Sequence, residues 1–111
     1  MITVTIERGK NKQIHSFTVS GHANSGPYGY DLVCAGVSAV TFGTVNAIIA
    51  LCEKNLIIDQ ADKEGGYLHV KLPLIKERER QQNVQLLLEG MIVSLQTIER
   101  DYSEHIQIKN I

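Results

Sequence analysis

Cys34 and His22 are the two side chains in this sequence whose types and spacing could do covalent chemistry together. A thiol deprotonated by a neighbouring imidazole is a strong nucleophile, and the imidazolium left behind can later protonate a leaving amine. The residues are joined by Gly21-His-Ala-Asn-Ser-Gly-Pro-Tyr-Gly-Tyr-Asp31, eleven residues with three glycines and one proline. That is longer than most strand-to-helix connections and flexible enough to fold back on itself. Asp31 is a preferred helix N-cap type immediately before an apolar run, so the pattern predicts Cys34 in the first helical turn. Unsatisfied backbone N–H groups and the positive end of the helix dipole there favour a thiolate over a thiol.

Each of these residues also has a bland reading. A cysteine in an apolar helix is commonly a small core residue, which is the expectation for Cys52 and an open alternative for Cys34. Asp31 either caps the helix alone or also orients His22. Ser38, one turn after Cys34, bonds either to the site or to the carbonyl of residue 34. Tyr28 and Tyr30 are lid residues over a peptide or exposed turn residues. Gly21, Gly26 and Gly29 would let the connection open and close. His15, His69 and His105 fall in strand-like alternation away from this segment and read as surface or sheet-face residues. No spacing of histidine, cysteine and carboxylate matches a zinc site, and no cofactor is expected.

The elements that must position these groups follow from periodicity. Ile2, Val4 and Ile6 alternate with Thr3, Thr5 and Glu7, and Ile14 to Ser20 is again strand-like, which predicts a β-hairpin. Leu32 to Asn55 is too long and apolar for a strand and reads as a buried helix. Leu56 to Asp59 and Tyr67 to Leu72 form a second strand pair around Lys63-Glu-Gly-Gly66. Val84, Leu88, Met91, Leu95, Ile98 and Tyr102 recur at helical spacing behind the charged lead-in Lys76 to Arg80. Ile106 and Ile108 suggest a last strand. The predicted architecture is α+β: residues 1–111 as a single two-layer domain in ββαββαβ order, its mostly antiparallel or mixed sheet covered by two helices.

Composition narrows the function classes. The 111 residues carry 11 Lys+Arg against 12 Asp+Glu, net charge −1, with 43% hydrophobic residues. That supports a packed core without disulfides and gives no basic field for general nucleic-acid binding. The amino terminus lacks a secretory signal, and the apolar stretch is interrupted by Ser38, Thr41, Thr44 and Asn46. Together these predict a cytoplasmic chain with no membrane span and free thiols.

Gly21-His22-Ala23 followed by Gly29-Tyr-Asp31-Leu-Val-Cys34-Ala-Gly-Val-Ser38-Ala closely resembles the signature of the ribosomal-processing cysteine protease family, Prp. The resemblance implies a cytoplasmic cysteine endopeptidase that removes a short N-terminal extension from ribosomal large-subunit protein twenty-seven. It implies Cys34 as nucleophile and His22 as base, with Asp31 and Ser38 at further motif positions, and homodimers with a flexible loop over the site. The family substrate resembles a short apolar segment ending in a pair of phenylalanines before a small residue. Two other classes remain at this point. A non-catalytic ribosome-associated binding or assembly module would need no nucleophile. A thiol redox protein would need a resolving cysteine, but the chain has no Cys-x-x-Cys and Cys52 lies about five helical turns from Cys34.

Overall fold

The computed structural model describes the whole chain except residues 22–26 and 61–65 and the side chains of residues 27–31. The elements run β1 (Ile2–Arg8), β2 (Ile14–Ser20), α1 (Pro27–Cys52), β3 (Ile57–Gln60), β4 (Tyr67–Lys71), α2 (Arg78–Asp101) and β5 (Ile106–Asn110). The predicted ββαββαβ order is therefore present. The strands form one five-stranded sheet in the order β3-β4-β2-β1-β5. Every neighbouring pair is antiparallel except β1 and β5, which are parallel because α2 carries the chain back across the sheet. The fold is α+β with a mixed open sheet.

Period-two alternation sorts the sheet's faces. Ile2, Val4 and Ile6 of β1 are buried, as are Phe17 of β2, Leu68 and Val70 of β4, and Ile106 of β5. Register puts these side chains in rows, for example Ile6 opposite Phe17 and Phe17 opposite Val70. The other face is polar and tied across strands: the Gln107 amide donates to Thr3 Oγ1 at 3.1 Å, and Thr18 Oγ1 and His69 Nδ1 are 2.8 Å apart. Both helices pack on the apolar face. Val84, Leu88, Met91, Ile92 and Leu95 of α2 are buried, the stripe expected from its spacing.

Polar clamps fix α2 to the sheet. Arg8 donates two hydrogen bonds, each 2.8 Å, to the two carboxylate oxygens of Glu89, joining the end of β1 to mid-α2. The Gln85 amide closes a reciprocal pair with the backbone N–H and C=O of Ile14, both 2.9 Å. Farther along, Glu99 accepts the Ile108 N–H at 2.7 Å, which seats the last turns of α2 on β5.

α1 departs from expectation in two ways. It begins at Pro27 rather than after Asp31, and it ends at Cys52 rather than Asn55. Proline is favoured at the first helical position because its φ is already helical and its missing N–H has no intrahelical partner there. The hydropathy of α1 departs from expectation as well. Leu32–Cys52 is 21 residues with mean hydropathy 1.9, long and apolar enough to cross a bilayer by length and composition, despite its scattered polar residues. Yet it stands between strands β2 and β3 of one sheet, with Val33, Val37, Val45 and Ile48 in the shared core. Only 28% of the stretch is buried, so one flank of α1 meets neither sheet nor α2.

Candidate active site

Cys34 lies seven residues past the start of α1, about two turns in. This corrects the first-turn placement: in a helix from Pro27, Asp31 is an internal residue rather than its N-cap. The Cys34 N–H belongs to the helical ladder, so it is not the free oxyanion donor that a helix start would supply. The Tyr28, Gly29 and Tyr30 backbones lie in the first turn of α1 rather than in the loop expected there. The signal for this start was in the sequence, in Pro27 itself.

Cys34 is half-buried and packs against the core cluster, whereas Ser38, one turn on, is exposed. A residue in that setting is anchored on one side by the core and partly open on the other, which is compatible with a nucleophile. Two contacts locate it in the fold. Ile98 Cδ1 lies 3.5 Å from where a Cβ on Gly36 would stand, so the turn holding Cys34 runs beside the last turn of α2. Gly21 ends β2 at the same end of the sheet, where its N–H donates to the Gly66 carbonyl at 2.9 Å. Gly21 also has φ +93°, a left-handed value that glycine adopts without strain. His22 and Gly26 lie outside the described residues, as do the side chains of Tyr28, Tyr30 and Asp31.

Cys52 stands at the far end of α1 and is buried. It borders a recess of about 260 Å³ with Glu53, Glu77 and Arg80, where Arg80 pairs with Glu77 at 3.2 Å. Of the other histidines, His69 faces the polar side of the sheet against Thr18, and His15 is exposed beside Gly9. Among the described residues no group of three or more His, Cys, Asp and Glu side chains could hold a metal.

The family model described as "Cysteine protease Prp" matches residues 1–107. The chain belongs to the Prp cysteine protease family. A Prp relative, the ribosomal processing cysteine protease of Bacillus subtilis strain 168, is 49% identical over 108 residues, covering 97% of this chain and 96% of its own. The crystal structure of the Staphylococcus aureus Prp with a covalently linked product peptide superposes with TM-score 0.86 at 42% identity, each chain covered in full. A second Staphylococcus aureus Prp structure, with a substrate peptide, gives TM-score 0.84 at 40% identity and the same coverage. Family membership makes the chain a cysteine peptidase of the ribosomal-processing type, with peptide as its class of partner.

Proposed function

We propose that this protein is a Cys-His endopeptidase that removes the short N-terminal extension of ribosomal large-subunit protein twenty-seven, with Cys34 as nucleophile and His22 as general base. The observation that carries the reading is the position of Cys34 in a Prp-family chain. It is a half-buried thiol near the start of α1, at the end of the sheet where β2 finishes beside Gly21.

The chemistry is acyl transfer. His22 takes the Cys34 proton, and the sulfur attacks the scissile carbonyl carbon as the C=O electron pair moves onto oxygen. Collapse of that intermediate breaks the C–N bond, and the imidazolium hands its proton to the departing amine. Water, deprotonated by His22, then attacks the thioester and expels the thiolate. Ser38, exposed one turn from Cys34, and Asp31 are assigned supporting roles. Mass spectrometry of the extended ribosomal protein before and after incubation tests the reading. A single cut near the N-terminus, absent with Cys34→Ala and with His22→Ala, is expected; a cut that survives Cys34→Ala overturns it.

The reading includes a homodimer in the cytoplasm. Leu32, Phe42 and Ile49 of α1 are exposed, and a groove of about 380 Å³ between the helices is bordered by Ala39, Gly43, Leu86 and Gly90. An apolar, small-residue face of this kind suits close helix packing by a second copy. Sedimentation at micromolar concentration is expected to give twice the chain mass, and a monomer overturns this part.

A further inference from the structure

The two edges of the sheet are finished differently. The Ile2 N–H donates to the His105 carbonyl at 2.8 Å and the Ile111 N–H to the Ile6 carbonyl at 2.9 Å, which turns the odd-numbered residues of β5 toward β1. Even-numbered residues of β5 therefore face outward, and the outward N–H of Ile108 is taken by the Glu99 carboxylate at 2.7 Å. At the other edge, the Gly21 N–H donates to Gly66 and the Leu72 N–H to His15, each at 2.9 Å. These bonds extend the β2–β4 register and turn Leu68 and Val70 toward β2. His69 and Lys71 then bond to their β3 partners, Asp59 and Ile57. That leaves Ile58 and Gln60, whose backbone N–H and C=O groups point away from the sheet. Among the described residues none pairs with them.

Edge strands are commonly blunted by lysine, proline or a covering element. β3 contains neither residue and is exposed along its length, with the apolar Ile57 and Ile58 side by side. Register puts the Ile58 and Gln60 side chains on the helix side of the sheet, in rows with Val70 and Leu68. α2 is fixed over β1 and β5 by Arg8–Glu89 and Glu99–Ile108, and α1 lies beside it with Ile98 against Gly36. The flank of α1 away from α2 therefore looks toward β3, the strand farthest from β5. Gly36, Gly43 and Ala47 face α2, and two residues along a helix turn about 200°. Cys34, Ser38, Val45 and Ile49 thus lie on the flank that looks toward β3. β3 is antiparallel to β4, which starts beside Gly21, so Gln60 marks the Cys34 end of the open edge.

We propose that the outer edge of β3 seats the substrate backbone: an extended peptide adds there as a sixth strand, bonded to Ile58 and Gln60, with its scissile bond beyond Gln60 at the Cys34 end. Main-chain pairing of this kind supplies affinity, and the alternate side chains that face α1 supply selectivity. Those side chains meet Ile58, so an apolar residue at every second position suits the site. A peptide fits this edge better than a second copy of the chain does. In the register that uses all the outward groups of β3, Ile58 of one copy pairs with Gln60 of the other, and the two Asp59 carboxylates stand directly opposite each other. The inference rests on the protease reading with Cys34 as nucleophile, and adds where the substrate backbone lies.

A fluorogenic peptide carrying the Phe-Phe-small core tests it when its backbone N–H groups are methylated one at a time. Only alternate residues of an added strand bond to the edge. Methylation is therefore expected to lower kcat/KM about tenfold at every second position beside β3 and little at the positions between. Ile58→Pro and Gln60→Pro each remove one outward N–H that the sheet does not use, which an edge strand tolerates, and place a ring where the peptide would lie. Each is expected to raise KM for the unmodified peptide severalfold and to flatten the alternation. Penalties that are absent, or that lack a period of two, overturn the inference on the unaltered protein alone. An alternation that either folded variant leaves intact also overturns it. So does a variant that turns monomeric in sedimentation while cutting as before, which assigns the edge to a second copy. These outcomes leave the protease reading in place. No cleavage of the unmodified peptide by the unaltered protein overturns that reading and this inference with it.

Discussion

Cys34 and Cys52 stand on one uninterrupted helix, eighteen residues and roughly 27 Å apart, the first half-buried near the start of α1 and the second buried at its end. The separation removes Cys52 as a partner for a disulfide or a resolving step, since bridged Cα atoms lie within about 7 Å of each other. The two thiols should therefore react independently. Brief treatment of the native protein with iodoacetamide is expected to label Cys34 alone, with Cys52 labelled only after denaturation, as read by peptide mass mapping. Equal native labelling of both would remove the structural distinction on which the nucleophile assignment leans.

Gly21 carries the next prediction. Its φ of +93° is one that a side chain strains to adopt, and a methyl group there would run into the carbonyl oxygen of Met1. Backbone cannot move aside as a flexible side chain can, so Gly21→Ala should cost about 1–3 kcal/mol of stability. Because His22 follows directly, peptidase activity should fall further than the folded fraction does. Thermal unfolding paired with kcat/KM measured well below the variant's Tm checks both parts. A variant with wild-type Tm and activity would show that the strain is not there.

The Arg8–Glu89 pair gives a pH dependence with a definite sign. The two hydrogen bonds from Arg8 hold the Glu89 carboxyl below its ordinary range, with burial acting in the opposite direction. A folded-state value below the unfolded one stabilises the protein above the unfolded value, about 4.3, and the contribution disappears as pH falls through the folded value. The Glu89 side chain is 46% exposed, so solvent screening limits the contribution to about 0.5–1 kcal/mol. Urea unfolding should therefore show Glu89→Gln less stable than the parent at pH 7 and nearly equal to it at pH 3. The same deficit at both values would mean that packing, not charge, accounts for it.

The first hairpin, β4, the α2 stripe and the last strand were legible because each has a clean period, whereas β3, exposed along its length, has none and was legible only from its place before the glycines that precede β4. Ile2, Val4 and Ile6 alternate, and Val84, Leu88, Met91 and Leu95 repeat at helical spacing, so local pattern and tertiary burial agree. The parallel pairing of β1 with β5 was not legible, since it depends on where α2 delivers the chain. The start of α1 was misplaced because Asp31 and Pro27 are both strong boundary signals four residues apart, and Gly29 argued against helix between them. The motif Gly21-His22 to Cys34 pointed to the family from sequence alone.

The two open helix faces supply the last prediction. Gly43 of α1 and Gly90 of α2 both border the groove between the helices, and a Cβ at either would meet nothing within 4 Å. Within one copy of the chain, Gly43→Ala and Gly90→Ala should each stabilise the helix by about 0.5–1 kcal/mol, because alanine restricts the unfolded chain more and favours the helix. If a second copy packs its backbone closely against this groove, the added methyl groups occupy the contact surface and weaken association. The double variant should then show a lower Tm at high protein concentration, where dimers prevail, but a higher Tm at dilutions where the parent is monomeric. Sedimentation should show its monomer–dimer equilibrium shifted toward monomer. A Tm raised equally at every concentration, with association unchanged, would place the dimer contact elsewhere on the molecule.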